Sequence, residues 1–414
     1  MVNPFLPDDE KVAAVRAALP ATGAGIYLNT GTAGPLPRET AAAMAEVAEW
    51  ELATGRAHAS LFAETFERMA EARAAVAAIL TSDIDTVALT HSTTDGMNIG
   101  SWSVDWRPGD RAVTNSLEHP GGLGPLYAAR DRFGVDLAIV DLGDGGDDAQ
   151  TLAAFEAAIT PRTRLVSISH VAWSTGAVLP VARIAELAHA RGALVVVDGA
   201  QSAGAIPVDP GALGADVYAI PGQKWLLGPE GMGALWVRPE ALERVHQTFA
   251  GYFSFETADG RGMGVPWSST RRFEATNYHR PSVVGLARSC GWLSMYVGLD
   301  WAYRRAATLA RRAADLLAAI PGVELLTPRH QMATLVSFRI AGWTPDQALD
   351  ELGRRVFAIA RTLPPVNALR VSVGFFNTDE EIERFCAAVA ELAAHTPETL
   401  PPRRALPLFG QDAR

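Results

Sequence analysis

Lysine is nearly missing from this chain. Of its 36 basic residues only Lys11 and Lys224 are lysines; the other 34 are arginines. A guanidinium serves wherever a fixed positive charge suffices, so each lysine raises the question of what an arginine cannot do there. Cysteine is as scarce, with Cys290 and Cys386 the only two in 414 residues. Two cysteines build neither a disulfide framework nor a cysteine-based metal cluster, and no metal site is expected. Positive charge is in deficit at a net -10, and the arginines are scattered apart from pairs such as Arg271-Arg272 and Arg304-Arg305. Nucleic-acid binding therefore has no electrostatic footprint. No apolar run reaches the ~18 residues that span a bilayer. The opening "MVNPFLPDDEKVAAVRAALP" carries acids and lacks the basic-then-apolar order of a secretory signal. A soluble, cytoplasmic protein with no nucleic-acid or membrane partner is expected.

What is present is alternation. Short β-branched runs at 86–90, 111–115, 135–142, 163–171, 193–200, 215–220 and 233–238 are separated by Ala-rich amphipathic stretches such as 151–159 and 181–192. Strand–helix alternation predicts βαβ units and a mostly parallel sheet, hence an α/β fold. The "VVV" run before Asp198 suits a strand buried on both faces. Gly192 stands where a helix would be capped. After about residue 285 the pattern changes to one long helical stretch, then short strands and a final helix, which predicts a smaller α+β domain. The expected division is an N-terminal segment 1–25 packing with the small domain, a large domain 26–285 and a small domain 286–414.

In open α/β sheets ligands bind beyond the carboxyl ends of the strands. Thr93 and Thr94, Glu118 and His119, His170, Asp198 and Gln201, and Lys224 all follow predicted strands. Asp198, leaving a buried strand, is either a helix cap or ion-pair member, or a carboxylate that keeps a heterocyclic nitrogen protonated. Lys224, in "GQKWLLGPEG", is either a surface charge or a desolvated amine that forms an imine. Thr93 and Thr94, in "THSTTDGMN", either cap a helix or bind a phosphate at its start. Taken together, a phosphate site, an acidic pyridinium partner and an imine-forming lysine describe a pocket for pyridoxal 5'-phosphate.

At this point the chain resembles the class V aminotransferase family of pyridoxal-phosphate fold type I, with the motif order of cysteine desulfurases and selenocysteine lyases. The resemblance runs from "IYLNTGTAGPLP" to "GFFNTDEEIERF". It implies a large domain with a seven-stranded, mostly parallel sheet between helices. It implies that "HSTTDGMN" (Thr93, Thr94) holds the cofactor phosphate and that His119 of "EHPGG" stacks on the ring. Asp198 and Gln201 of "VDGAQSAG" would meet the ring nitrogen and hydroxyl. Lys224 of "GQKW" would form the Schiff base, with Gln223 beside it able to donate to phosphate. Thr276 and Asn277 of "RRFEATN" would reach the phosphate of a neighbouring subunit, which implies a homodimer with sites at its interface. Arg370 of "LRVSVG" would grip the carboxylate of an amino-acid substrate. Arg56 and Asn29 match positions on the substrate side, although Arg56 reads equally as a helix-surface arginine.

The departures bear on the reaction. Desulfurases carry a sulfur-accepting cysteine on a loop before the carboxylate-binding arginine; here that stretch is "ARTLPPVNALRVS", without cysteine. Pro221 and Gln223 stand where desulfurases have Ser and His, and Trp173 stands where they have an asparagine near the ring. The expected activity is that of a lyase: β-elimination with C–S cleavage of cysteine- or cystine-type substrates to pyruvate and ammonia. An epimerase resembling isopenicillin N epimerase and an aminotransferase of the same family are the alternatives. A cofactor-binding regulator or inactive scaffold is the non-enzyme alternative, and the intact set Asp198, Gln201, Lys224 and Arg370 speaks against it.

Overall fold

A computed structural model describes residues 5–402. A seven-stranded sheet runs through its centre: β1 (Val87–Thr90), β2 (Arg111–Asn115), β3 (Asp136–Val140), β4 (Thr163–Ser169), β5 (Leu194–Asp198), β6 (Val217–Pro221) and β7 (Gly233–Val237). The order is β1-β7-β6-β5-β4-β2-β3, with β7 antiparallel to both neighbours and every other pairing parallel. Every residue of β5, β6 and β7 is buried. That is why these strands read as unbroken apolar runs rather than alternating ones.

The helices follow their apolar spacing. Helix α1 (Thr93–Trp102) follows β1, α2 (Pro120–Phe133) follows β2, and α3 (Val181–His189) precedes β5. On α3 the buried residues Val181, Ile184, Ala185 and Ala188 form one stripe. The helix stops at His189, and Gly192 turns the chain toward β5 with φ 74°. No helix among the described residues is long and apolar enough to cross a membrane.

The long helical stretch after residue 280 is broken. Helix α4 (Arg280–Gly291) runs into a π-helical turn (Trp292–Val297), and Gly298, at φ 84° and ψ 113°, starts α5 (Leu299–Ala318) in a new direction. Val283, Leu286, Cys290, Trp292, Leu293, Val297, Ala302 and Ala306 all belong to the core around the large sheet. From Leu309 onward α5 instead joins a second core with Phe338, Leu369 and Phe385. The boundary expected at residues 285 and 286 thus falls inside α4, and the chain passes from one core to the other along α5. The early segment is shared too. Val15 and Leu19 pack in the large core, while Arg16 pairs with Glu381 and donates to the Phe376 carbonyl.

The second core lies on a four-stranded antiparallel sheet of β8 (Val323–Leu325), β9 (Leu335–Ile340), β10 (Arg361–Leu363) and β11 (Ala368–Ser372), ordered β8-β9-β11-β10. A bridge from Asn29 to Ser372 ties this sheet to the 29–34 loop of the large unit.

Candidate active site

The β6–β7 connection carries Lys224. Its shape is set by Gly222, which donates to the Met232 carbonyl, and Gly228, which donates to Gly222, both at 2.8 Å. The 29–34 loop lies directly on it: Gly34 donates to the Gln223 carbonyl at 2.7 Å. A Cβ at Gly34 would clash with the Lys224 carbonyl, so glycine is required for the approach. Burial lowers the Lys224 pKa to about 8; Asp198 opposes the shift, while Arg370 and Arg361 add to it. Asp198 ends β5 and accepts the Ala200 N–H at 2.8 Å. Burial pushes its pKa up, against the pull of Lys224.

His119 caps the start of α2, its Nδ1 accepting the Gly121 N–H at 3.0 Å. That bond fixes the tautomer with the proton on Nε2. Burial, then Lys224, Arg361 and Arg370, lower its pKa to about 4, so the ring is neutral at physiological pH. The Trp173 indole stands edge-on to it at 5.2 Å and 85°, and donates to the Glu118 carbonyl at 3.3 Å. The Glu118 carboxyl accepts from the Ser169 hydroxyl and the His119 N–H. Burial, and then Asp198, still raise its pKa to about 8. A neutral aromatic ring beside a neutral acid is suited to stacking and positioning, and leaves Asp198 as the carboxylate of the site.

Two orphaned groups mark where ligands fit. The Thr93 hydroxyl is buried without a partner at the first turn of α1, while Ser92 caps that helix by accepting from Asp95. An unpaired hydroxyl at a helix N-terminus fits a phosphate. Arg370, on β11, is fully buried; its Nη1 donates to the Trp173 carbonyl at 2.8 Å, and Nε and Nη2 have no partner. Two free donors of one guanidinium fit a carboxylate. Gln201 accepts from the Trp225 indole and donates to the Gly31 carbonyl, both at 2.9 Å, which leaves its second amide N–H for a ring hydroxyl. Thr94 is exposed beside Gly121, and Gln223 is half-buried next to the lysine.

Three other expected residues line hollows whose walls include none of Thr93, His119, Asp198, Lys224 or Arg370. Thr276 lines a hollow beside α1 with His91, Asp95 and Asn98. Asn277 and Arg56 share a second hollow with Glu51, His279 and Arg280. Asn29 stands at the crevice, its Oδ1 accepting from Thr32 at 2.8 Å. Arg361 escaped the sequence reading. It lies directly opposite Arg370 across β10 and β11, and its Nη1 donates to the Thr32 hydroxyl at 3.2 Å.

A buried lysine, an acidic group one strand away and an orphaned hydroxyl at a helix start, on an α/β sheet, are the features that fit a pyridoxal-phosphate enzyme. The family model described as Aminotransferase class-V matches residues 26–385. The chain belongs to that family, whose members depend on pyridoxal phosphate. It is 33% identical over 393 residues to the isopenicillin N epimerase of Streptomyces clavuligerus, covering 89% of this chain and 94% of that one. It is also 33% identical over 355 residues to a probable cysteine desulfurase of Mycolicibacterium paratuberculosis, covering 82% of this chain but only about half (51%) of that relative. Among solved structures, the cystine C–S lyase C-DES in complex with its reaction product cysteine persulfide superposes with a TM-score of 0.84 at 28% identity, covering 90% of this chain and 99% of that one. The cysteine desulfurase CsdA of Escherichia coli gives a TM-score of 0.79 at 27% identity, covering 91% and 97%.

Proposed function

We propose that this chain is a pyridoxal-phosphate-dependent lyase that cleaves the C–S bond of cysteine- or cystine-type L-amino acids by β-elimination, expelling the sulfur as a sulfide, thiol or persulfide and releasing pyruvate and ammonia after hydrolysis. The observation that carries the reading is the position of the sulfur atoms. Cys290 and Cys386 are the chain's only thiols, both are buried in the two cores, and burial raises both pKa values to about 12. The 361–370 segment, where an acceptor thiol would stand, holds Arg361 and two prolines instead. Elimination needs no sulfur acceptor. The fold-level neighbour C-DES, a cystine C–S lyase, supports the same reading.

The residues divide the work by chemistry. Thr93 and the first-turn N–H groups of α1 would hold the cofactor phosphate, with Thr94 and Gln223 at its rim. Asp198 would meet the ring nitrogen, Gln201 the ring hydroxyl, His119 the ring face and Lys224 the aldehyde carbon. When bound, the cofactor supplies an electron sink for the bond broken at the α-carbon. Arg370 fixes the substrate carboxylate through its free Nε and Nη2. Burial lowers the Lys224 pKa to about 8, which suits Nζ to take the α-proton. Trp173 holds the His119 ring edge-on. Thr276, Asn277 and Arg56, which line hollows apart from Lys224 and Asp198 in their own chain, would serve the site of a second copy, and the working unit would be a homodimer.

The likeness to isopenicillin N epimerase supports a second reading, proton return to the opposite face of the α-carbon. Incubation with L-cystine, L-cysteine and S-substituted cysteines decides: pyruvate release is the expected result. Deuterium entering the α-carbon without pyruvate overturns elimination in favour of epimerisation. Keto-acid formation from an amino acid with no leaving group points to transamination.

A further inference from the structure

His170, Gly199, Ser202 and Tyr218 meet directly behind the turn that carries Asp198 and Gln201. Strand alternation separates two faces of the sheet there. Ser169 of β4 is in register with Asp198 of β5, so both rise on the face where Ser169 meets Glu118. Val197 is in register with Tyr218 of β6, and both belong to the opposite face. Gly199 continues that opposite face, and a Cβ on it would strike the Tyr218 ring. The phenol behind the turn therefore requires the glycine after Asp198. The Tyr218 hydroxyl is fully buried and pinned from two sides, by His170 Nδ1 at 2.8 Å and by Ser202 Oγ at 2.5 Å. Ser202 Oγ also donates to the Gly199 carbonyl at 3.1 Å. With the His170 proton on Nδ1, a chain from His170 through Tyr218 and Ser202 to the Gly199 carbonyl gives each hydroxyl one donor and one acceptor. His170 grips the same turn by its backbone, its N–H donating to the Asp198 carbonyl at 2.9 Å. Burial lowers the His170 pKa to about 4 and raises that of Tyr218, so the network is uncharged at neutral pH and sets no second charge behind Asp198.

A ring that only fills space behind a strand can be phenylalanine, since a buried hydroxyl must find partners. This hydroxyl joins three segments: β6, the residue after β4, and the turn after β5. We propose that His170, Tyr218 and Ser202 are positioning residues, a hydrogen-bonded strut on the back of the sheet that fixes the 198–202 turn and so sets where Asp198 and Gln201 meet the cofactor ring. The strut acts through the turn and not by touching cofactor or substrate. On the crevice side the turn is held by the Ala200 N–H on Asp198 and by the bonds of Gln201 to Trp225 and Gly31. A group that must stand within about 0.5 Å of its working place needs support from behind as well. The inference rests on the proposed contact of Asp198 with the ring nitrogen and adds the residues that place it.

The test compares holoenzymes of Tyr218→Phe, His170→Leu and His170→Asn with the wild type and with Asp198→Asn. Two readouts are taken at one fixed pH: the visible spectrum of the bound cofactor and the cofactor retained on serial dilution. Tyr218→Phe keeps the ring behind Gly199 and removes only the hydroxyl. Asparagine at 170 keeps a donor near the place of Nδ1, and leucine does not. Tyr218→Phe and His170→Leu change the spectrum in the same direction as Asp198→Asn and weaken retention at least about tenfold, the scale of one buried hydrogen bond lost. His170→Asn stays within about threefold of the wild type. Ser202→Ala removes one of the two bonds to the phenol and gives a smaller change of the same kind, and it decides the matter where Tyr218→Phe does not fold. Urea melts of the same proteins separate positioning from stability. Strut variants that lose stability while spectrum and retention match the wild type overturn the strut and leave the Asp198 assignment standing. Spectrum and retention unchanged in Asp198→Asn remove that assignment, and the strut with it.

Discussion

Lys224 and Glu118 are where single atoms decide the behaviour. An amine can lose its proton and form an imine, whereas a guanidinium with a pKa above ~12 cannot. Borohydride treatment of the holoenzyme therefore leaves the cofactor covalently attached to the wild type, and neither Lys224→Ala nor Lys224→Arg retains it; a reducible link surviving in either variant refutes the assignment. Glu118 gives a pH signature. Its pKa is raised from 4.5 to about 8 in the folded state. Its stabilising contribution is then complete below about pH 4.5 and is lost as pH rises toward 8. Gln does not titrate, so the stability of Glu118→Gln relative to wild type grows between pH 5 and pH 8. The slope is up to about 1.4 kcal/mol per pH unit, reduced by coupling to Asp198. Urea melts at both values check this; a difference that stays constant with pH shows that Glu118 ionises normally. Lys224 and Asp198 drew attention in sequence because each is a rare or costly residue at the end of a buried strand, whereas Gln201 and Arg370 took their meaning from the family resemblance. Arg361 stayed illegible, since its meaning comes only from register with Arg370, and register is a pairing between strands that no single strand displays.

Most elements were legible for the same reason that they are stable. The buried strands β5 to β7 announce themselves as apolar runs, and the α3 stripe repeats with helical spacing. The stretch from 280 to 318 was misleading because α4, the π-turn and α5 share one composition. Only the backbone at Gly298 separates them. A Cβ there meets nothing closer than Lys11 Nζ at 3.9 Å, so the constraint is the dihedral angle rather than crowding. Gly298→Ala is accordingly expected to cost about 1–3 kcal/mol. It should do so without altering the absorbance of the bound cofactor, since the break is flanked on both sides by residues of the large core and lies outside the crevice. Chemical denaturation alongside a visible spectrum measures both quantities, and a neutral Gly298→Ala rules out backbone strain as the reason for the break.

For the molecule as a whole, the decisive question is how the segment at 270–278 is held, because it carries Thr276 and Asn277, which line hollows whose walls include neither Lys224 nor Asp198. Strand β1 is an edge strand, and an unpaired edge invites uncontrolled pairing. Glu274 closes it: its carboxylate accepts the Leu89 N–H at 2.9 Å and is held by Arg73 at 2.8 and 3.0 Å, while the Tyr278 hydroxyl donates to the Leu89 carbonyl. Both partners of this ion pair are buried. Removing one strands the other, which for a buried pair costs about 3–5 kcal/mol. Glu274→Ala thus leaves a buried guanidinium and an unpaired edge amide, and it frees the 275–278 stretch. If that stretch reaches the phosphate of a second copy, Glu274→Ala loses cofactor on dilution in step with dissociation to monomers, both followed in one sedimentation run that reads protein and cofactor absorbance. The double variant Arg73→Met/Glu274→Leu removes both charges together and recovers stability, but it does not recover the Leu89 acceptor. Cofactor retained by monomers in either variant shows that each crevice holds its phosphate alone, and it places Thr276 and Asn277 in a structural role at the sheet edge.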